Sequence, residues 1–304
     1  MPQTPQTLSV LIVDDVPEVR TMLDRAITKL GYRARQAAEC GAALAGCEEE
    51  LPDIVLTDIR LPGIDGLTLT QRIRQRWPEC PVVVMTGHSD EDSAIAALKS
   101  GASDYLKKPI DLGDLKTALE GVVQVLDGRR EESLRWLPVE RMEYCLTVEN
   151  VLDQVLPLTA YLARDAAPLL ISLDRFHLRI ALQEMVTNAI EHGNLEITSA
   201  EKAEALLRGD YENVVAARCR DVMYRDRRVT VSVTYDRAGL SVRYRVADEG
   251  QGFDWRRELG RAGIARSQMA GQGRGIQLAQ ALVADLAYND KGNEVILTLP
   301  VTLN

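Results

Sequence analysis

The chain lacks several features at once, and each absence narrows what it does. No apolar run reaches the ~18 residues that a membrane span needs, and the polar start Met-Pro-Gln-Thr-Pro is not a signal peptide. The five cysteines, at 40, 47, 80, 145 and 219, form no Cys-x-x-Cys pair and no metal-ligand spacing, so reduced thiols in a cytoplasmic protein are expected. Positive charge is not in excess: 36 Lys and Arg stand against 45 Asp and Glu, a net charge of −9. That balance argues against a broad nucleic-acid footprint or an anionic-membrane one. Histidines number three, at 88, 177 and 192. What is present is ordinary for a soluble globular protein, with 46% hydrophobic and 27% charged residues. At ~150 residues per domain, a chain of this length predicts two domains.

In the N-terminal half, short apolar segments alternate with helical patterns. Leu8 to Val13 ends in Asp14-Asp15, and Pro17-Glu18 open a helix that Gly31 stops. Strands are predicted at 32–37, at Ile54 to Thr57 ending on Asp58, at 81–85 ending on Thr86-Gly87, and at 104–106 before Lys107-Lys108-Pro109. This rhythm predicts a parallel sheet with helices on both faces, whose strand carboxyl ends converge on one edge. Asp14, Asp15, Asp58, Thr86 and Lys108 would meet there. Carboxylates crowded together require a cation, and oxygen ligands favour Mg²⁺. A lysine and a threonine beside them suit a phosphoryl group on one carboxylate.

Residues 8 to ~126 resemble a response-regulator receiver domain. The residues that carry the resemblance are Asp14-Asp15, Asp58 within Leu56-Thr57-Asp58-Ile59-Arg60-Leu61-Pro62-Gly63, Thr86-Gly87, and Tyr105 three before Lys108. The resemblance implies a doubly wound five-stranded fold and Asp58 as phosphoacceptor, fed by an upstream histidine kinase or another phosphodonor. It implies Asp15, Asp58 and the Arg60 carbonyl as Mg²⁺ ligands, with Asp14 behind through water. Lys108 would contact the phosphoryl group, and Thr86 with Tyr105 would form a switch pair.

The apolar stripe Leu115, Leu119, Val122, Leu126 predicts a helix on the receiver sheet, and Asp127 to Ser133 reads as a charged linker ahead of a second domain at 143–304. The same connection reads equally as the end of a helix that pairs two chains into a homodimer. Beyond it, a strand at 144–148, a helix at 149–163 kinked at Pro157, and a long helix at 173–192 are expected. Glu184, Asn188 and His192 recur every fourth residue on that helix and share one stripe. Two charged helices at 200–208 and 210–224 follow, then strands at 229–235 and 240–246. A glycine cluster then opens a helix to about Ala284. Asn289 to Asn293 reads as a turn before a last strand at 294–299.

Two glycine clusters carry chemistry. Asp248-x-Gly250-x-Gly252 sets one acceptor beside residues without side chains, which lets a flat ring approach the backbone and an exocyclic amine reach the carboxylate. Gly271-x-Gly273-Arg274-Gly275 ahead of a helix can offer N–H groups and a positive dipole end to phosphates, or can serve as a hinge. It is neither a Rossmann fingerprint nor a P-loop.

Together with Glu184 and Asn188, these clusters resemble the ATP-binding domain of the GHKL superfamily, an α/β sandwich with a mixed, largely antiparallel sheet. The string Glu184-x-x-x-Asn188-x-x-x-His192-Gly193 and the segment Tyr288-Asn-Asp-Lys-Gly-Asn-Glu294-Val295 resemble the serine kinases that phosphorylate anti-sigma-factor antagonists. The resemblance implies Asn188 as Mg²⁺ ligand, Asp248 as adenine reader, and Gly250, Gly252, Gly271, Gly273 and Gly275 as nucleotide-loop positions. Glu184 would be the general base for a hydroxyl acceptor, and 254–270 the ATP lid. Arg274 is a phosphate candidate. His192 is either a phosphate contact or a packed helix-end histidine. Arg256, Arg257, Arg261 and Arg266 are phosphate contacts or solvated charge.

The resulting expectation is a receiver-controlled serine/threonine kinase acting on a STAS-type antagonist, with a sigma factor as a further partner. The 111–143 connection would carry the control. One alternative is an ATP-binding switch that sequesters a sigma factor or antagonist with little catalysis. Another is a histidine kinase fused to a receiver. It needs a phosphoacceptor histidine on a helix well before the nucleotide domain, and none of the three histidines sits there.

Overall fold

The computed structural model describes residues 7–87, 91–127, 140–165, 172–236, 238–256 and 274–301. The chain divides into two compact units, Met1–Leu126 and Asp127–Asn304.

The first unit has a five-stranded parallel sheet: β1 (Ser9–Val13), β2 (Arg33–Ala37), β3 (Ile54–Asp58), β4 (Val82–Thr86) and β5 (Asp104–Lys107), in the order β2-β1-β3-β4-β5. Every residue of β1, β3 and β4 is buried. This is why they read as unbroken apolar runs: helices cover both faces of a parallel sheet. Those helices are α1 (Pro17–Lys29), α2 (Cys40–Glu49), α3 (Gly66–Arg76), α4 (Glu91–Lys99) and α5 (Leu112–Asp127). Pro17 begins α1, where its missing N–H costs nothing. Asp65 caps α3, its carboxylate accepting from the Thr68 N–H at 2.7 Å.

The second unit pairs β6 (Arg141–Val148), β7 (Val229–Asp236), β8 (Ser241–Ala247), β10 (Glu294–Pro300) and β9 (Asp285–Tyr288) in the order β6-β7-β8-β10-β9. The largely antiparallel sheet that was expected is present, and each of its four pairings is antiparallel. Val229, Val231, Val233 and Tyr235 alternate into the core, with half-buried residues between them. Helix α7 (Ser172–Asn188) packs between α6 (Val155–Asp165) and α10 (Arg274–Leu282). Two further helices, α8 (Ser199–Arg208) and α9 (Tyr211–Arg220), stand between α7 and β7 in the chain.

Four expectations need correction. The long helix does not stay α-helical to His192. It passes at Ala189–Asn194 into a π-helical turn, in which the Leu195 N–H donates to the Ile190 carbonyl at 2.8 Å. The helix expected from 149 starts later, after a 3₁₀ turn at Leu152–Gln154. Pro157 then falls in the first turn of α6, where its absent N–H has no intrahelical partner to lose. The helix expected to 224 ends at Arg220 and gives way to turns. Helix α10 ends at Leu282, short of the expected Ala284, and Asp285–Tyr288 is a strand where no element was expected. The linker after Asp127, the lid from 257 to 270, and Gly271 and Gly273 lie outside the described residues.

Candidate functional site

In the first unit three of the five strand-end residues expected to meet, Asp14, Asp58 and Lys108, are brought together. Asp14 follows β1 and is fully buried, and Asp58 closes β3 with 9% of its surface exposed. Lys108, just past β5, reaches both: its Nζ lies 3.0 Å from Asp14 Oδ2 and 3.1 Å from Asp58 Oδ1. Burial raises the Asp58 pKa, although the Lys108 ammonium works against that rise. Burial alone would lower the lysine pKa, but its bonds to Asp14 and Asp58 outweigh it and the pKa is raised.

Asp14 is held further by the Val16 N–H at 2.9 Å, and its carbonyl accepts from Arg20 Nη1 at 2.6 Å. Thr86, at the end of β4, is buried, and its hydroxyl donates to the Leu106 carbonyl at 3.4 Å. Tyr105 is half-buried on the adjacent strand, opposite Val84. Asp15 and Arg60 are exposed. Among the described residues no three His, Cys, Asp or Glu side chains converge as a metal cluster. The lysine bridges Asp14 and Asp58 instead.

In the second unit a cavity of about 770 Å³ is lined by Glu184, Asn188, His192, Asp248, Gly252 and Tyr288, among others. Its size falls in the range of small-molecule sites. Asp248 comes off the end of β8. Its Oδ1 accepts from the Gly250 N–H at 2.9 Å, while its own carbonyl accepts from Asn293 Nδ2 at 2.8 Å. Burial pushes its pKa up to about 6, against the opposing pull of that N–H and of the Lys291 charge.

Two glycines make this approach close. A Cβ on Gly193 would lie 2.3 Å from the Asp248 carboxyl carbon, and one on Gly250 would lie 2.2 Å from the Gly193 carbonyl oxygen. The end of the π-turn and the Asp248 loop therefore pack backbone against carboxylate with no room for a side chain. Gly252 follows at φ 78°. Tyr288 closes the floor, its hydroxyl donating to Met185 Sδ at 3.4 Å and its ring standing edge-on to Phe253 with centroids 5.4 Å apart.

The other end of the cavity is set by α7 and α10. A Cβ on Gly275 would fall 2.3 Å from Glu184 Oε2 and 3.4 Å from Asn188 Nδ2. The helix that follows the second glycine cluster thus begins against the two α7 residues singled out from the sequence. Arg274 is the first residue of that helix. His192 lines the cavity, and its Nδ1 is 2.5 Å from the Ile197 carbonyl. It is therefore a histidine tied to the backbone at the helix end, with its ring exposed. Arg256 is engaged at the surface, 2.7 Å from Asp290 and over the Trp255 ring.

Sequence reasoning passed over the polar residues that fasten this region. Asn194 is fully buried; its Nδ2 donates to Asn150 Oδ1 at 2.8 Å and its Oδ1 accepts from the Glu249 N–H at 2.9 Å. Glu191 is 2% exposed and binds Lys202 Nζ at 2.6 Å and the Tyr211 hydroxyl. Their signal was present: Glu191 and Asn194 fall three apart in a segment whose neighbours Ile190 and Leu195 are core residues.

Comparison with known proteins agrees with this division. A model of the response regulator receiver domain matches residues 10–120, and one of the histidine kinase-like ATPase domain matches 148–299, half of the chain. The DNA-binding transcriptional regulator NtrC of Escherichia coli (strain K12) is 40% identical over 114 residues, covering 38% of this chain and 24% of that protein. The photosynthetic apparatus regulatory protein RegA of Rhodobacter capsulatus is 35% identical over 148 residues, covering 47% of this chain and 80% of that one. This chain thus spans about a quarter of the length of the NtrC relatives it matches. Among solved structures, the receiver domain of NtrX from Brucella abortus is 32% identical, covering 38% of this chain and 98% of that one, with a TM-score of 0.37. Among the described residues no helix is long and apolar enough to cross a membrane. The chain belongs to the histidine kinase-like ATPase domain family, with a response regulator receiver domain ahead of the ATPase unit.

Proposed function

We propose that this protein is a response regulator whose output is an ATP-dependent serine/threonine kinase acting on a STAS-type anti-sigma-factor antagonist, under the control of Asp58 phosphorylation. The observation that carries the reading is the meeting of Glu184 and Asn188 with the first turn of α10 at Gly275. A carboxylate, a carboxamide and a helix start then share one end of a cavity whose other end holds Asp248.

The residues fit the cofactors this reading needs. Glu184 and Asn188 supply oxygen donors of the kind Mg²⁺ prefers. Asp248, with a pKa near 6, is mostly ionised at pH 7 and offers an acceptor to the adenine amine. Bound Mg-ATP supplies the transferable phosphoryl group and the metal charge that offsets its negative oxygens. Asn188 would hold the metal and Gly250 and Gly252 would let the base approach, while Gly271, Gly273 and Arg274 are assigned to the phosphates by the sequence resemblance alone. Glu184 orients the partner's hydroxyl and accepts its proton as the new O–P bond forms and the bond to the β-phosphate oxygen breaks, releasing ADP.

In the receiver, Asp58 takes a phosphoryl group from a histidine kinase or small phosphodonor. Lys108, already 3.1 Å from Asp58, stays to neutralise it. Mg²⁺ there would take Asp58, Asp15 and the Arg60 carbonyl as oxygen donors, as the resemblance implies, with Asp14 behind. Thr86 and Tyr105 report the change, and the 111–143 connection passes it on. The test is incubation of the full chain with labelled Mg-ATP and STAS-domain proteins. Acid-stable phosphate on a partner serine or threonine, lost in Glu184→Ala, supports the kinase. Stable capture of an antagonist or sigma factor without transfer supports sequestration instead, and acid-labile label lost in His177→Ala would make it a histidine kinase.

A further inference from the structure

One wall of the nucleotide cavity comes from outside the core of helices and sheet. Helix α8 and its N-cap Thr198 line it, the helix through Ser199, Lys202 and Leu206. Lys202 is the sole lysine or arginine among the described residues that line the cavity, against four carboxylates: Glu184, Glu196, Asp248 and Glu294. A polyphosphate entering such a lining meets like charge, and an ammonium on the wall is the group that reverses this.

Lys202 is also held in place. Its Nζ donates to Glu191 Oε2 at 2.6 Å and lies 5.5 Å from the Tyr211 ring centroid, while the Tyr211 hydroxyl donates to Glu191 Oε1. The Glu191 side chain is 3% exposed and that of Lys202 is 32% exposed. The carboxylate is therefore sealed in as an anchor while the lysine still reaches the cavity. An ammonium has three N–H donors, and the anchor uses one. Helix α9 braces the arrangement: Arg218 donates to the Leu195 carbonyl at 2.9 Å and to Glu201 at 2.8 Å.

We infer that Lys202 is a phosphate-binding residue of the nucleotide site, supplied by the α8–α9 segment, with Glu191 and Tyr211 as the positioning residues that hold it there. The inference rests on the reading of this cavity as an ATP site. It gives the charged helices between α7 and β7 a part in binding nucleotide.

The test is calorimetric titration of the full chain with Mg-ATP, Mg-ADP and adenosine. Lys202→Gln is expected to weaken Mg-ATP about tenfold and Mg-ADP by less, as loss of a charge-assisted bond predicts. Adenosine affinity should stay within about twofold, and Lys202→Arg should keep most of the ATP affinity. Because Lys202→Gln strips the cation from a buried carboxylate, the double variant Glu191→Gln/Lys202→Gln provides a second arm without that stranded charge. It should show the same selective loss. Unchanged ATP affinity in both variants, or an equal loss for adenosine, overturns the inference. A wild-type chain that binds neither ATP nor adenosine removes the nucleotide site itself; wild-type binding with indifferent variants removes only Lys202.

Discussion

The carboxylates at the two candidate sites, Asp14 and Asp58 in the receiver and Asp248 in the ATPase unit, are held in opposite ways. In the receiver, Asp14 and Asp58 share Lys108, so the negative charge is offset from within the fold. In the ATPase unit, Asp248 is met by a backbone N–H, and among the described residues no lysine or arginine forms an ion pair with it; Lys291 donates to the Gly250 carbonyl instead. Its pKa therefore climbs to about 6. On the proposed reading, the receiver site is assembled ahead of its reaction, whereas Asp248 is a carboxylate kept at a cost to folding for a ligand to satisfy. Buried charge is tolerated either by pairing or by postponed pairing.

The largest effects fall on the reacting groups. Asp58→Ala should reduce receiver labelling by small phosphodonors to background, and Glu184→Ala should slow partner phosphorylation by about a hundredfold or more, the scale of a lost general base. Both are read by phosphate incorporation. Next comes the lysine that sets the receiver apart. Lys108→Met leaves Asp14 and Asp58 uncompensated and should cost about 2 kcal/mol of receiver stability in urea unfolding, below the usual cost of a broken buried pair because Lys108 is partly exposed.

Gly250→Ala drives a Cβ onto the Gly193 carbonyl and should destabilise the ATPase unit by about 1–3 kcal/mol. Gly275→Ala meets the Glu184 carboxylate and, at 3.4 Å, the Asn188 amide, side chains rather than backbone, so it should disturb phosphotransfer while costing less stability than Gly250→Ala.

The smallest effect has the opposite sign to Lys108→Met. Asp248 carries a folded-state pKa near 6, above its unfolded value of 3.8, so the folded chain binds the extra proton between these values. The stability this lends is present below pH 3.8 and is lost as pH rises through 6. Asp248→Asn should therefore stabilise the ligand-free protein by about 1–2 kcal/mol at pH 8, with the gain fading toward pH 4, while weakening nucleotide binding. Thermal unfolding across that pH range measures it. If Asp248→Asn destabilises at pH 8, the contrast between the two units fails.

The receiver sheet was legible because its strands are buried apolar runs, and parallel topology brings strand ends such as Asp14, Asp58 and Lys108 together. In the ATPase unit the α7 stripe, the β7–β8 hairpin and the Asp248 loop were equally readable. Strand β9 was not: Asp285 to Tyr288 is four residues long, follows α10 after two residues, and alternates between exposed and half-buried positions. The π-turn was hidden because no residue type marks it. Glu191, Lys202 and Tyr211 are brought together by tertiary packing across 11 and 20 residues, which local periodicity does not report.

The central claim, that Asp58 governs a hydroxyl-directed kinase, is tested most directly by one rate. It is the transfer of acid-stable phosphate from Mg-ATP to a STAS-domain partner, measured with and without acetyl phosphate. The account predicts a rate that changes with acetyl phosphate in the wild type, does not change in Asp58→Ala, and vanishes in Glu184→Ala. A rate indifferent to acetyl phosphate in the wild type, or one that survives Glu184→Ala, would contradict it.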